Sequence, residues 1–417
     1  MPTNPIQRAW FVLWTAFFTF CALSVLIPFA TDWWLRTSTE AQVVELTSSG
    51  TVLVQRPNRD APEAGLTIVP VGSVITTARN AQATLTILSP DRQDTLASVQ
   101  IYGESRVILE LADSPRFTWW SQEPHKLSLR LETGRLRAFN TGVALRPVEI
   151  VIQSPPSAII LLNTRGSNAA VDASFTGSNI TVGEGEATVL TGATGQVLTP
   201  GQRAEVAPNQ PLQIFQSTER NLITDGEFQQ PLGVFWQTDI RPPSDPTQDA
   251  GNVQIEFVEG RRAASFLRLG QGWSQVGLRQ EINRDVRDFR SLQLQLDILL
   301  RYQDLTNCGA LGTECPIIVR LEYEDNNGNP REFLQGFYYR AASGANAGAT
   351  RCVQCSGAVP EHERLSEGQW QTYESQNLIE FFNASNAPAT VVKAITVYAA
   401  GHSYESSVAR VQLLASD

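Results

Sequence analysis

The chain begins with a long apolar stretch that no later segment repeats. Residues 9–31 form a run of 23 residues in which Cys21 is the only ionisable side chain. A helix of this length reaches about 34 Å, enough to cross a hydrocarbon core of about 30 Å. Tryptophans, which favour the membrane interface, stand at both borders: Trp10, Trp14, Trp33 and Trp34. The pattern predicts one transmembrane helix over residues 9–31, preceded by a short cytoplasmic tail over residues 1–8.

A cleaved signal peptide is the alternative for this segment. The apolar core of a signal peptide is only about 7–15 residues long. In addition, Pro28-Phe29-Ala30 does not match the usual cleavage site with small residues. We therefore favour an uncleaved anchor. Arg8 marks the cytoplasmic side, and the remaining chain is expected outside the cell membrane, as in a single-pass protein with extracytoplasmic C-terminal domains.

Beyond the apolar stretch, hydrophobic positions follow a period of two in short runs. Examples are Thr84–Leu88, Val107–Leu111 and Val148–Ile152, and Gly, Pro, Asn or Asp residues interrupt these runs. No later stretch keeps a helical spacing of apolar residues over three turns. The pattern predicts an all-β region outside the membrane.

A polar, turn-rich segment divides this β-region. Residues 207–218 contain APNQP and the start of QSTER, between two regions dense in strand patterns. We predict one domain over residues 41–206, a linker over residues 207–218 and a second domain over residues 219–417.

Composition narrows the functions that the chain can have. The 417 residues include 32 basic and 42 acidic side chains, for a net charge of −10, and only three histidines. An acidic chain without basic runs is a poor nucleic-acid binder. No G-x-S-x-G or H-E-x-x-H pattern is present in the sequence. We expect a protein that is not an enzyme, with no cofactor, no resident metal and no nucleic-acid partner.

The first β-region carries short motifs in a fixed order. They are Val71–Thr77 (VGSVITT), Leu131–Leu136 (LETGRL), Arg165–Ser167 (RGS), Val182–Val189 (VGEGEATV) and Leu198–Val206 (LTPGQRAEV). In this order they resemble the FecR domain of bacterial envelope proteins. The glycines of these motifs fall between strand runs, where a tight turn requires a positive φ: Gly72, Gly134, Gly166, Gly185 and Gly201.

The regulatory members of the FecR family are anti-sigma sensors with a folded cytoplasmic region before the membrane span. Here only residues 1–8 precede the span, too few to bury a core. The resemblance therefore implies an envelope-facing β-module without a sigma-binding domain of its own. A sensor of this kind would signal through a membrane-protein partner.

The second β-region opens with Asn221–Phe228 (NLITDGEF), and Trp236 follows shortly after. This opening resembles the first strand of the galactose-binding-like jelly roll found in many carbohydrate-binding modules. In Leu292–Leu300 the leucines alternate with Gln293, Gln295 and Asp297, which predicts a core-facing side. The resemblance assigns Trp236 and Trp370 to the core.

Calcium often stabilises that jelly roll, through acidic groups in the opening and closing strands. At the closing position this chain has Ala409-Arg410-Val411, so we do not expect the usual ion, although Asp225 and Glu227 could contribute oxygens. Asp325–Asn329 (DNNGN) has the composition of a calcium loop. Its place between two strand runs favours a β-turn.

Four cysteines fall in two Gly-rich segments of the second domain: Cys308, Cys315, Cys352 and Cys355. Outside the membrane such pairs persist as disulfides, and short separations favour Cys308–Cys315 and Cys352–Cys355. A four-thiolate metal site, with His362 able to replace one cysteine, and free thiols are the alternatives. Without such a site we expect His362 to be exposed.

Sugar-binding sandwiches stack apolar sugar faces on exposed aromatic rings. The candidates are Trp273, Tyr338, Tyr339 and Tyr404, and Trp273 has the most polar, glycine-rich surroundings. We expect a membrane-anchored, non-catalytic binding or adhesion protein that recognises an envelope or extracellular glycan. A sensor subunit and a glycan-active enzyme are the alternatives.

Overall fold

The computed structural model of the protein describes residues 5–141, 146–192, 194–344, 347–355 and 357–417. The chain divides into two compact units between Ser217 and Thr218. Apart from α1 and α2, the regular elements that the structure describes are strands, so the coarse expectation of a β-protein with one long apolar helix is confirmed.

Helix α1 spans Pro5–Thr37, so the helical backbone continues beyond the predicted end at residue 31. Polar side chains support this extension, since Arg36 and Asp32 form a 2.9 Å ion pair one turn apart. The segment Ala9–Thr37 is long and apolar enough to cross a membrane, a property that it shares with signal sequences. Residues 1–4 of the predicted cytoplasmic tail lie outside the described residues.

In unit 1 the strands that the structure describes pair into one continuous network. Their bounds are β1 (Thr39–Ala41), β2 (Val43–Ser49), β3 (Val52–Gln55), β4 (Glu63–Ala64), β5 (Val74–Thr77), β6 (Gln82–Leu88), β7 (Thr95–Ile101), β8 (Arg106–Pro115), β9 (His125–Asn140), β10 (Val148–Ser154), β11 (Ala158–Leu162), β12 (Asn168–Ser174), β13 (Gly177–Glu184), β14 (Ala187–Thr191), β15 (Thr194–Leu198), β16 (Arg203–Val206) and β17 (Gln213–Phe215). Strand β17 lies inside the predicted linker and pairs with β16, so part of that segment belongs to unit 1.

Strand β9 connects the two halves of this network. Its first half pairs with β8 and β10, and its second half pairs with β7 and β12. The change of partners occurs near Gly134, whose φ is +89°. A Cβ at this position would lie 2.7 Å from the Cβ of Ser105, so glycine is required there by backbone conformation and by space.

Unit 2 contains two sheets that enclose its main apolar core. Its elements are β18 (Arg220–Asn221), β19 (Gln237–Arg241), β20 (Asn252–Val258), β21 (Arg261–Arg268), β22 (Ser274–Asp285), β23 (Ser291–Gln303), β24 (Ile317–Asp325), β25 (Pro330–Tyr338), β26 (Gly357–Ala358), β27 (Glu363–Arg364), β28 (Gln371–Glu374), α2 (Leu378–Ala384), β29 (Ala389–Gly401) and β30 (Tyr404–Ser416). One sheet has the order β20-β21-β30-β23-β28, and the other has the order β19-β22-β29-β24-β25-β26.

The core of unit 2 follows the alternation read from the sequence. Leu292, Leu294, Leu296 and Ile298 of β23 are buried in it, as is Trp236. Helix α2, which the sequence patterns did not predict, is capped by Asn377 and buries Leu378 and Phe382. Trp370 is only partly buried and packs at the edge of a smaller apolar cluster.

Candidate functional site

The four aromatic candidates lie in different environments. Trp273 is 40% exposed, immediately before β22, whereas Tyr338 and Tyr404 are 7% and 2% exposed. Tyr404 is part of the main core, and Tyr338 packs in the apolar cluster around the disulfides. Tyr339 is partly buried against the main core. The burial of Tyr338 and Tyr404 contradicts their assignment as stacking rings, because a sugar cannot reach a ring enclosed by other side chains.

A buried arginine holds the loop that presents Trp273. Arg268, at the end of β21, is fully buried. Its guanidinium donates to the carbonyl oxygens of Asp249 at 2.9 Å, Gly272 at 2.7 Å and His402 at 2.6 Å, and also to that of Gly401. A charged donor shared among carbonyl oxygens forms strong hydrogen bonds in such a site. Arg268 therefore fixes residues 269–273 against the turn at residues 401–402.

The backbone of this loop is held by further hydrogen bonds. The Leu269 N–H donates to Asp249 at 3.1 Å, the Gly270 N–H to the Ser403 hydroxyl at 3.0 Å, and the Gln271 N–H to the Gln248 side chain at 3.1 Å. Backbone N–H donors from Gly251 and Leu269 lower the pKa of the Asp249 carboxyl group, which is consistent with its role as an acceptor. The Trp273 ring is thus exposed on an ordered segment.

Strand β22 continues from Trp273 with alternating inward and outward residues. Val276 and Leu278 are buried in the core, so Gln275, Gly277 and Arg279 belong to the opposite side. Extending this alternation one residue beyond the start of β22 assigns Trp273 to the same outer side. The paired strands add outward residues further along β22, since Asp239 is opposite Gly277, and Thr396 lies between Arg279 and Arg320. We name this surface the Trp273 face, defined by Trp273, Asp239, Gln275, Arg279, Arg320, Glu322, Thr396 and Tyr398.

Polar side chains on the Trp273 face hold one another in place. Gln275 donates to Asp239 at 2.8 Å, and Arg279 donates to Glu322 at 2.5 Å. The side chains of Arg279 and Glu322 are each 29% exposed, so they can exchange water for another polar partner. Arg279 and Glu322 therefore offer fixed polar groups to solvent, whereas Gln275 is buried.

Tyr398 lies beneath the exposed groups of the Trp273 face. Its hydroxyl accepts a 3.2 Å hydrogen bond from Arg320, whose guanidinium carbon is 4.9 Å from the ring centroid. Burial raises the pKa of Tyr398, so the hydroxyl stays neutral. A Cβ on Gly277 would lie 2.6 Å from the Tyr398 Cβ, which explains the glycine in the middle of this strand.

Two polar atoms of the Trp273 face have no hydrogen-bond partner among the described residues. They are Nε of Arg320 and Oγ1 of Thr396, which are neighbours in the strand register. Both atoms are buried, so the groups of the Trp273 face that a polyhydroxylated ligand can reach are the exposed Trp273 ring and the partly exposed Arg279 and Glu322 side chains.

The polar residues of the Trp273 face were not among the site candidates predicted from the sequence. The runs VGLRQEI and IIVRLEY contain Arg279, Arg320 and Glu322 as outward positions once the core positions are assigned. The alternation of core and outward positions was the signal that could have identified them. The register in which β22 and β24 pair with β29 cannot be predicted from either run.

Both predicted disulfides are present, Cys308–Cys315 and Cys352–Cys355. His362 lies beside the first, and its expected exposure is wrong, because the ring is buried. Its Nδ1 accepts a 2.9 Å hydrogen bond from the Gly336 N–H, and its Nε2 lies 2.8 Å from the Gly312 carbonyl oxygen. Although Cys308, Cys315 and His362 are close together, the two sulfurs are bonded to each other and both ring nitrogens have partners. This group does not form the alternative metal site.

The acidic segments considered for calcium have structural roles. Asp325 accepts from the N–H groups of Asn327 and Asn329, both at 2.9 Å, and closes the turn between β24 and β25 as predicted. Asp225 accepts from two backbone N–H groups after β18. Arg410, in the closing strand, forms a 3.0 Å ion pair with Asp297.

No protein-family model and no curated protein match the chain. Among solved structures, an anti-sigma factor from Parabacteroides distasonis is 15% identical, with a TM-score of 0.26 over 34% of this chain. The chain spans only 59% of the length of that protein. TmCBM61 in complex with β-1,4-galactotriose is 15% identical, with a TM-score of 0.26, over 48% of this chain and 99% of that chain. The family 11 carbohydrate-binding module of a Clostridium thermocellum cellulase is 11% identical, with a TM-score of 0.27, over 47% of this chain and 93% of that chain.

Proposed function

We propose that this chain is a membrane-anchored, envelope-facing, non-catalytic binding protein that recognises a glycan on the Trp273 face. The observation that carries this proposal is the exposed Trp273 ring on a loop that the buried Arg268 holds in place. A ring that is already ordered loses little conformational freedom when a sugar stacks on it. Arg279, six residues further along β22, and its partner Glu322 then bind hydroxyl groups of more distant sugar units of the same glycan.

The anchor in this proposal is helix α1, with the two units on the extracytoplasmic side. The length and apolar character of Ala9–Thr37 support a membrane span. The two disulfides support an oxidising compartment for unit 2. In this proposal unit 1 is a FecR-like module that lies between the anchor and unit 2 in the sequence.

The Trp273 face favours binding over hydrolysis. Glycoside hydrolysis uses two carboxyl groups on either side of the scissile bond. Glu322 is instead engaged by Arg279 at 2.5 Å, and Asp239 by Gln275 at 2.8 Å. Carboxylates held by cationic and amide donors are suited to orient hydroxyl groups rather than to transfer protons.

A glycan array probed with the solubilised full chain tests the proposal. We expect binding to a restricted group of polysaccharides, and loss of that signal in a Trp273→Ala variant of unchanged fold. Binding that is equally strong in the variant contradicts the assignment of the face. Glycan hydrolysis that survives repurification contradicts the non-catalytic proposal.

A sensor subunit is the second candidate function, and the junction between α1 and unit 1 favours it. Only Ser38 separates the end of α1 at Thr37 from β1, which pairs at once with β8. A short connection can transmit a displacement of unit 1 to the helix. Such a protein would signal through a membrane-protein partner, and in-membrane crosslinking from α1 followed by identification of the crosslinked protein tests this alternative.

A further inference from the structure

An aromatic loop lies directly beside the end of helix α1. We define the aromatic loop as residues 116–120, with the sequence RFTWW, which follow β8. The last three residues of β8 pair with β1, and the Arg116 N–H donates to the Ser38 carbonyl oxygen at 3.0 Å. The loop therefore begins at the point where the chain leaves the helix.

A ring contact joins the aromatic loop to the helix. The rings of Trp34 and Phe117 are 5.0 Å apart between centroids. Trp34 stands just beyond Asp32, the first charged residue after the apolar segment, at the border where indole rings occupy the membrane interface. Phe117 consequently lies at the same depth relative to the membrane as Trp34.

The next rings of the loop face solvent although the loop itself is held in place. Trp119 is 96% exposed, and Trp120 is exposed as well. The N–H groups of Trp120 and Ser121 donate to the Phe117 carbonyl oxygen at 3.0 and 2.9 Å, and Arg146 donates to the Thr118 carbonyl oxygen at 2.7 Å. Tryptophan is highly buried on average in folded proteins, so two adjacent exposed indoles on a hydrogen-bonded loop mark an interaction surface.

The charges around the loop fit a lipid surface. Arg116 lies next to the Phe117 ring, with 5.7 Å between its guanidinium carbon and the ring centroid. Arg36, on the last turn of α1, has an exposed side chain that is also paired with Asp32. Cationic side chains beside interfacial aromatic rings are placed to contact lipid phosphates.

We propose that the aromatic loop inserts Trp119 and Trp120 into the interface of the membrane that α1 spans. This inference rests on the proposed membrane anchor. Its partner is the lipid bilayer itself, because the loop is continuous with the membrane-spanning segment through Trp34 and Phe117. Unit 1 is then attached to the bilayer at two points, the helix and the loop, which restricts its orientation on the surface.

Fluorescent labelling of the full chain tests this inference. In a Cys21→Ser background, Trp119→Cys and, as a matched control, Phe175→Cys are labelled with an NBD fluorophore. Phe175 is a suitable control because it is 93% exposed in the same unit, in the turn between β12 and β13. The other four cysteines are in disulfides. The proteins are reconstituted in vesicles of phosphatidylethanolamine and phosphatidylglycerol, and flotation establishes whether the chain is anchored.

We expect the label at position 119 to be quenched by brominated lipid and to be at least about threefold less accessible to iodide than the label at position 175. Equal iodide quenching at the two positions in floated vesicles overturns the loop inference and leaves the anchor intact. Failure of the wild-type chain to float overturns the anchor and the loop inference together. If the label at position 119 is protected from iodide in native membranes but not in vesicles of pure lipid, the loop does not insert into lipid and its partner is a protein.

Discussion

Arg268 donates a 2.7 Å hydrogen bond to the carbonyl oxygen of Gly272, the residue immediately before Trp273. The same guanidinium also donates to the carbonyl oxygens of Gly401 and His402, at the turn between β29 and β30. One buried side chain therefore fixes the position from which the Trp273 ring reaches solvent. The proposed glycan site depends on this arrangement as much as on the ring.

Replacement of Arg268 should reduce the stability of unit 2. Arg268→Met leaves several buried carbonyl oxygens without a donor, and we expect the free energy of unfolding of unit 2 to fall by about 3 kcal/mol. Arg301→Met is the matched control, because Arg301 forms exposed ion pairs with Glu259 and Glu405. We expect the control to change stability by less than about 1 kcal/mol. Hydrogen exchange in unit 2 measures the stability of both variants. Equal protection in the two variants would contradict a structural role for Arg268.

The sequence predicted the β-class, the long apolar helix and the core face of β23, because these depend on local periodicity. Leu292, Leu294 and Leu296 alternate with polar residues, and the structure buries them as expected. Burial of Tyr404 could not be predicted in this way, since its neighbours in the sequence are polar and its enclosure comes from distant strands.

The same limit explains why the sequence did not indicate Arg268 and why the expectation for His362 was wrong. Arg268 has no local signal, because its role depends on a turn more than 130 residues away. His362 was expected to be exposed, but it is buried by contacts with Gly312 and Gly336, which lie 50 and 26 residues earlier in the chain. Long-range strand register decides both positions, and alternation within one strand does not determine register.

The two disulfides should differ in how readily a reductant reaches them. Cys308 and Cys315 are fully buried, whereas Cys355 of the second pair is partly exposed. Thiol exchange requires access of the attacking thiolate to a sulfur atom. We expect mild reduction followed by alkylation and mass spectrometry to modify Cys352 and Cys355 first. Modification of Cys308 and Cys315 first would contradict the burial of that pair.

His362 should make unit 2 less stable in acid. Burial lowers its pKa, although the Gly312 carbonyl oxygen and Glu361 oppose this effect. Because the folded state has a pKa below the ordinary value of about 6.5, stability is fully present above that pH. It is lost as the pH falls through the lowered pKa of the folded state, since the unfolded chain binds the proton more readily.

A His362→Gln variant isolates this contribution. Hydrogen-exchange protection of unit 2, corrected for intrinsic exchange rates, should decrease less between neutral and mildly acidic pH in the variant than in the wild type. If the two proteins show parallel pH dependence, His362 does not provide the titrating group.

The binding affinity of a Trp273→Ala variant for a polysaccharide identified on the array tests the central claim most directly. Loss of a stacking ring should weaken binding by at least about fivefold, while a Trp273→Tyr variant, which retains an aromatic face, should recover part of the affinity. Phe257→Ala is the matched control, because Phe257 is an exposed aromatic residue on β20, in the other sheet of unit 2. The account predicts weaker binding only for Trp273→Ala, with an unchanged melting temperature. Wild-type affinity in Trp273→Ala, or an equal loss in Phe257→Ala, would contradict glycan recognition by the Trp273 face.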